Sequence, residues 1–144
     1  MTPPTPTTGP TPLNPVTRHV DVPGLGDPRR FGYAHAVAAG GLLFLAGQMG
    51  IDTDYRVPSG DFDDQATRTL TNVLAALRAG GTDAAHLVSM TVYLVDMGDS
   101  ARFFEIRSRL LGDVLVASTT VAVSGLPLPG LLVEVQAVAA VPPP

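Results

Sequence analysis

From Phe31 onward, short apolar runs alternate with glycine and proline breaks, and the spacing of the apolar residues separates strands from helices. Tyr33 to Ala39 and Leu42 to Gly47 are two strand-length runs joined by Gly40-Gly41, a pair suited to the positive φ angles of a tight hairpin turn. Residues 50–60 are rich in Asp, Pro and Gly and read as a loop. Ala66, Leu70, Val73, Leu74 and Leu77 then recur at helical spacing, with Asp61 as N-cap and Gly80-Gly81 as the stop. Leu87 to Val95 reads as a third strand, apolar on parts of both faces. Asp99 is placed to cap a second helix running to Leu111, with Phe103, Ile106, Arg107 and Leu110 on one side and Gly112 past its end. Two more strands follow, Ser118 to Val123 and Leu131 to Val141, separated by Gly125-Leu126-Pro127-Leu128-Pro129-Gly130, which is loop chemistry.

The order ββαβαββ implies an α+β fold, in the broad α/β class: one mixed sheet carrying both helices on one face. Its other face would be bare, and its many apolar positions predict that oligomerisation buries it. The domain is expected over residues 30–144, preceded by a Pro/Thr-rich tail over residues 1–29. Prolines in the first 16 residues remove backbone donors and fix φ. A solvated tail is the expectation, with docking as a polyproline II peptide the alternative. Residues 17–30, punctuated by Pro23, Gly24, Gly26 and Pro28, read as irregular.

Composition narrows the function. The chain has 144 residues, a size suited to one domain with one core. Its net charge is −4 and its nine cationic residues, all Arg, are scattered, so nucleic-acid binding has no electrostatic support. Cysteine is absent, which removes thiol nucleophiles, disulfides and Cys-ligated metals. No apolar run approaches the roughly 20 residues that span a bilayer, and no secretory signal pattern is present. No membrane association and a cytoplasmic location are the expectations. Elbow, phosphate-loop and His-Glu-x-x-His motifs are lacking, and three separated histidines make no metal site.

Several segments, in order, resemble the Rid family of reactive-intermediate deaminases, also called YjgF-like proteins. Gly32-Tyr33-Ala34-His35-Ala36-Val37 is similar to the family's opening strand, and Leu43-Phe44-Leu45-Ala46-Gly47-Gln48 to its second. Gln65, Thr67, Leu70 and Asn72 follow its first helix. Thr91 to Met97 with Asp99, and Leu131 to Ala139, resemble its later strands. The resemblance implies a YjgF/chorismate-mutase-like fold and a homotrimer whose sheets form a central barrel. It also implies a small-molecule pocket at each subunit interface, and hydrolysis of enamines and imines, such as 2-aminoacrylate, to a keto acid and ammonia without metal or organic cofactor.

Carried over residue by residue, the resemblance makes Tyr33 and Glu134 the catalytic candidates, the first contacting the ligand and the second placing water. Glu134 and Gln136 share one face of an otherwise apolar strand, because side chains two apart point the same way. The family's substrate-carboxylate arginine falls at Ser118, followed by Thr119. A hydroxyl does not replace a bidentate, permanently charged guanidinium, so Ser118 argues against the usual 2-iminopropanoate substrate. Gln48, His35 and Phe104, the last at a frequent family asparagine, complete the expected pocket, with Arg30 or Arg29 as a possible replacement cation. The alternatives are a non-catalytic metabolite-binding trimer, or a biosynthetic tailoring enzyme that cyclises, isomerises or opens a ring in the same pocket.

Overall fold

A computed structural model describes residues 16–144. The Pro/Thr-rich stretch up to residue 15, with its reading as a tail or docking peptide, lies outside the described residues. Eight regular elements follow: β1 (Thr17–Val20), β2 (Ala36–Ala39), β3 (Leu42–Met49), α1 (Phe62–Ala79), β4 (Leu87–Leu94), α2 (Ser100–Leu111), β5 (Ala117–Ala122) and β6 (Val133–Ala140). The strands form one sheet in the order β1-β2-β3-β6-β4-β5. β4 and β5 run parallel, and the other neighbouring pairs run antiparallel.

The mixed sheet with two helices is as expected, and so are the turn and caps that shape it. Gly40 and Gly41 turn the β2–β3 hairpin at φ 58° and 77°, angles that cost a residue with a Cβ far more than glycine. The Asp61 carboxylate accepts from the Asp64 amide at 3.1 Å and caps α1. Asp99 precedes α2 but makes no capping hydrogen bond. The Asp96 carboxylate instead accepts from Gly98 N at 2.8 Å, and the resulting 3-10 turn, Met97–Asp99, feeds directly into α2.

Two further departures concern the start of the sheet. β1 lies where irregular chain was expected; it pairs with β2 from Thr17 opposite Ala39 to Val20 opposite Ala36. β2 begins only at Ala36, so Tyr33 and His35 sit in the segment before it. The His35 carbonyl still accepts from Ala46 N of β3 at 2.9 Å, but Tyr33 N turns back to the Pro28 carbonyl at 3.4 Å. The His35 side chain adds a tie to the preceding loop, its Nε2 2.7 Å from the Gly26 carbonyl oxygen.

One sheet face carries Leu43, Leu45, Met90, Val92, Leu94, Val133, Val135, Ala137 and Ala139, all buried in one cluster with Leu70, Val73, Leu77, Phe103 and Ile106 from the helices. Each of the Leu, Val, Ile, Met and Phe side chains contributes about 1.5–3 kcal/mol by leaving water. The opposite face is open. Glu134 lies across from Tyr93, and Gln136 across from Thr91. Phe44, Val88 and Val121 remain substantially exposed.

Candidate functional site

A single irregularity in β3 builds the site. Leu45 pairs with Ala137 and Gln48 with Val135, so Ala46 and Gly47 together oppose Gln136 alone. This extra residue is a β-bulge, which bends the strand and re-aims the side chains after it. It turns Gln48 to the buried helix-bearing side, where its amide donates to the Ala46 carbonyl at 3.2 Å. Met49 then falls opposite Glu134 on the open face. A Cβ on Gly47 would stand 3.1 Å from Glu134 Cγ and inside the envelope of the carboxylate. Glycine there is the seat on which Glu134 rests.

Glu134 lies between two adjoining cavities on the open face. One, of ≈ 390 Å³, is walled by Phe31, Tyr33, Met49, Tyr55, Pro127 and Leu128. The other, of ≈ 500 Å³, is bordered by Tyr93, Gln136 and the 125–127 loop. Both fall in the range of small-molecule sites. A cavity of ≈ 570 Å³ beside α1 is larger, but its Gln65 and Asp64 are occupied in loop and cap contacts.

The electrostatics of the smaller cavity are one-sided. Burial raises the Glu134 carboxyl above the ordinary carboxylate range, because the charged form loses water. Among the described residues it has no hydrogen-bond or ion-pair partner. Tyr33 is held protonated, its phenol pushed far up first by burial, then by its bond to Tyr55 and the nearby Glu134 charge. The Tyr33 and Tyr55 hydroxyls are 2.7 Å apart, and Tyr55 Oη also reaches the Gly26 carbonyl at 3.5 Å.

Tyr55 was not foreseen. It sits in the 50–60 loop at φ 59°, the one non-glycine residue with positive φ among the described residues. Such a conformation costs about 1–3 kcal/mol and persists where its surroundings over-determine it. Asp52 does this: its carboxylate accepts from the amides of Asp54 and Arg56, both at 2.9 Å. Gly26 completes the fit, since a Cβ there would collide with the Tyr55 ring. A lone aromatic among Asp, Pro and Gly residues was the available signal in the sequence.

The structure thus brings Tyr33 and Glu134 to one cavity and leaves the other candidates elsewhere. Ser118 pairs with Met90, in the row of the helix-bearing face, on the exposed edge strand β5. Thr119 is in the neighbouring row, beside Thr91. Neither lines the cavities around Glu134. Phe104 lies on the outer side of α2, 44% exposed, edge-on to Phe103. His35 is buried on Gly26, with its ring 5.5 Å from that of Tyr33 in a T-shaped arrangement. Arg29 is paired with Asp27 at 2.9 Å. The Arg30 guanidinium sits over the Phe31 and Tyr55 rings, 5.3 and 5.6 Å from their centroids. No cluster of His, Cys, Asp or Glu among the described residues is suited to hold a metal ion. No helix among them is long and apolar enough to cross a membrane.

With this geometry in view, comparison with known proteins decides the family. A family model described as Endoribonuclease L-PSP matches residues 28–141. The chain belongs to the Rid family, the family of that model. It is 38% identical over 108 residues to a RutC family protein of Pyrococcus horikoshii, covering 74% of this chain and 85% of that protein. It is 40% identical over 110 residues to the protein DfrA of Myxococcus xanthus, covering 76% and 83%. Among solved structures, RidA from an Antarctic Psychrobacter species superposes with a TM-score of 0.79 at 25% identity, over 86% of this chain and 99% of that one. The yeast protein YEO7 superposes at 0.81 with 26% identity, over 88% and 99%. The family match at residues 28–141 therefore covers β2 to β6, both helices and the bulge that seats Glu134.

Proposed function

We propose that this Rid protein hydrolyses an enamine- or imine-type metabolite in the cavity between Tyr33 and Glu134, as a homotrimer with the site at the subunit interface. The observation that carries this reading is Glu134 itself: a partly desolvated carboxylate with no partner among the described residues, seated on Gly47 beside an aromatic wall. A carboxylate kept in that state is expensive unless a ligand or water uses it. Burial raises its proton affinity toward neutrality, which suits a group that takes and returns a proton.

The steps balance as a hydrolysis. The substrate reacts as its iminium form, C=NH2+, the protonated imine or enamine. Glu134 accepts a proton from a water as that water's oxygen bonds to the iminium carbon, and the C=N electron pair moves to nitrogen to give a neutral amine. The proton returns to that nitrogen, the C–N bond breaks as the carbonyl forms, and the hydroxyl proton passes through Glu134 to the departing ammonia, which leaves as ammonium and returns Glu134 to its carboxylate form. Tyr33 contacts the substrate with its ring, and its hydroxyl is anchored by Tyr55. The exposed Phe44, Val88 and Val121 and the uncovered β5 edge support burial of the open face by further copies. RNA cleavage, which the family description names, finds little support in an apolar cavity whose charged group is an anion.

The test is release of ammonia and carbonyl product from a panel of imines generated in situ, with wild type and Glu134→Gln compared. Turnover by the wild type, reduced at least 100-fold in the variant, is expected. Wild-type turnover that survives the substitution places the chemistry elsewhere. Stable binding with no consumption of any imine supports the metabolite-binding reading instead.

A further inference from the structure

We infer that the Tyr33–Glu134 cavity selects a ligand carrying positive charge and no carboxylate: an iminium or primary ammonium attached to a small apolar or aromatic body. This rests on the hydrolase reading only for the claim that such a ligand is turned over; the binding preference rests on the residues that one subunit supplies to the site.

Three observations carry it. First, the charge facing the cavities on either side of Glu134 is that carboxylate, and no Arg, Lys or His side chain lines either one. An anionic ligand would enter a dry space beside an unpaired anion, whereas a cation would supply the partner that Glu134 lacks. Second, the walls offer π faces. Phe31, Tyr33 and Tyr55 stand around the space, and aromatic faces attract a cation through their negative quadrupole. Third, the two phenols bond to each other, and Tyr55 also reaches a backbone carbonyl. Tyr55 reaches the Gly26 carbonyl and Tyr33 reaches Tyr55, so with Tyr55 donating to Gly26 and Tyr33 to Tyr55, neither hydroxyl has a proton left for a ligand carboxylate.

The cations nearby do not reverse this sign. Ser118 is a neutral residue at the position of the family arginine, and its row is that of the opposite sheet face. Arg29 is paired with Asp27. Arg30 is exposed to water and is not a lining residue; its guanidinium is engaged on the Phe31 and Tyr55 rings, 5.3 and 5.6 Å from their centroids. A carboxylate-free iminium gains the Glu134 charge and the ring faces together, and its hydrolysis needs only water as co-reactant. The products are a neutral carbonyl compound and ammonium.

The experiment uses the full chain at low ionic strength and three probes of one shape: benzylammonium, benzyl alcohol and benzoate, titrated calorimetrically. Benzylammonium is expected to bind at least tenfold more tightly than benzyl alcohol, with benzoate weakest. In Glu134→Gln that preference is expected to shrink to about threefold or less. Gly47→Ala, which displaces the carboxylate without removing it, provides a second variant, with circular dichroism confirming that both fold. Benzoate binding as tightly as benzylammonium, or a preference for the cation that survives in both variants, overturns the inference. If benzylammonium is preferred but no imine is consumed, the hydrolase reading falls and this inference stands. If 2-iminopropanoate is consumed and benzoate preferred, the hydrolase reading stands and this inference falls.

Discussion

Replacing Glu134 by Gln keeps the shape of the side chain and removes its charge, so its effect on stability reports the cost of holding that charge. A fully buried, unpaired carboxylate costs several kcal/mol. Glu134 is half-buried and bordered by open cavities, and solvent screening reduces the figure to about 1 kcal/mol. For a domain of this size that corresponds to a Tm about 3–4 °C higher in Glu134→Gln. The pH dependence gives the sign. Because burial raises the folded-state pKa above the ordinary value of 4.5, the folded protein binds the proton more tightly than the unfolded chain. The cost is absent below the ordinary glutamate range, grows as pH rises through it, and is complete once pH passes the raised folded value. Thermal unfolding of both proteins at fixed concentration should show the variant ahead at pH 8 and the two equal near pH 4. A variant less stable than wild type at pH 8 refutes the reasoning, since it means that Glu134 has a stabilising cationic partner in the assembled protein.

Three other substitutions test neighbouring parts of the account. Gly47→Ala puts a methyl group where the Glu134 carboxylate rests; the flexible carboxylate gives way, so Tm should change by less than about 3 °C while kcat/KM for imine hydrolysis falls at least tenfold. Gln65 is buried and donates to the Ser59 and Gly130 carbonyls at 2.9 and 2.8 Å while accepting from Leu132 N at 2.8 Å. Gln65→Leu leaves these groups unpaired, costs about 2–4 kcal/mol by chemical denaturation, and loosens the loop that brings Pro127 and Leu128 to the cavity. Ser118→Arg puts a guanidinium in the row of the helix-bearing face of β5, away from the Glu134 cavities, and should leave kcat/KM for 2-iminopropanoate within about threefold of wild type. A gain of a decade or more, the worth of about one charge-assisted hydrogen bond, means that a neighbouring copy's β5 closes the cavity in the assembled protein.

Local chemistry made most of the fold legible. Gly40-Gly41, the Asp61 cap and the period of Leu70, Val73 and Leu77 act within a few residues of one another, and each predicted element exists. β1 was hidden because Thr17–Val20 is a short edge strand whose existence depends on pairing with β2, a contact between positions about 20 residues apart. Tyr33 and His35 carry the texture of a strand, but Tyr33 N bonds back to Pro28 in the preceding turn, while the His35 carbonyl already meets Ala46 of β3.

The site divided along the same line. Glu134 and Gln136 were readable as a polar pair on one face, since strand parity alone requires it. The side on which Gln48 lies follows from the bulge at Ala46-Gly47, which shifts every later residue of β3 to the other face and leaves no mark in the spacing of the strand. The side on which Ser118 lies follows from its register with Met90, which no spacing within β5 reveals. Tyr55 depends on a positive φ enforced by Asp52 and on the space left by Gly26, a combination that spans three segments.

The central claim is that a desolvated Glu134 carboxylate performs proton transfer on a bound imine. Its most direct test is the pH dependence of kcat/KM for carbonyl release from an N,N-dimethylated, permanently charged iminium, whose own protonation cannot contribute. Activity should fall as pH drops, along an acid limb lying above the ordinary glutamate value, and Glu134→Gln should show neither the limb nor the activity. A flat profile, or an acid limb that persists in Glu134→Gln, would contradict it.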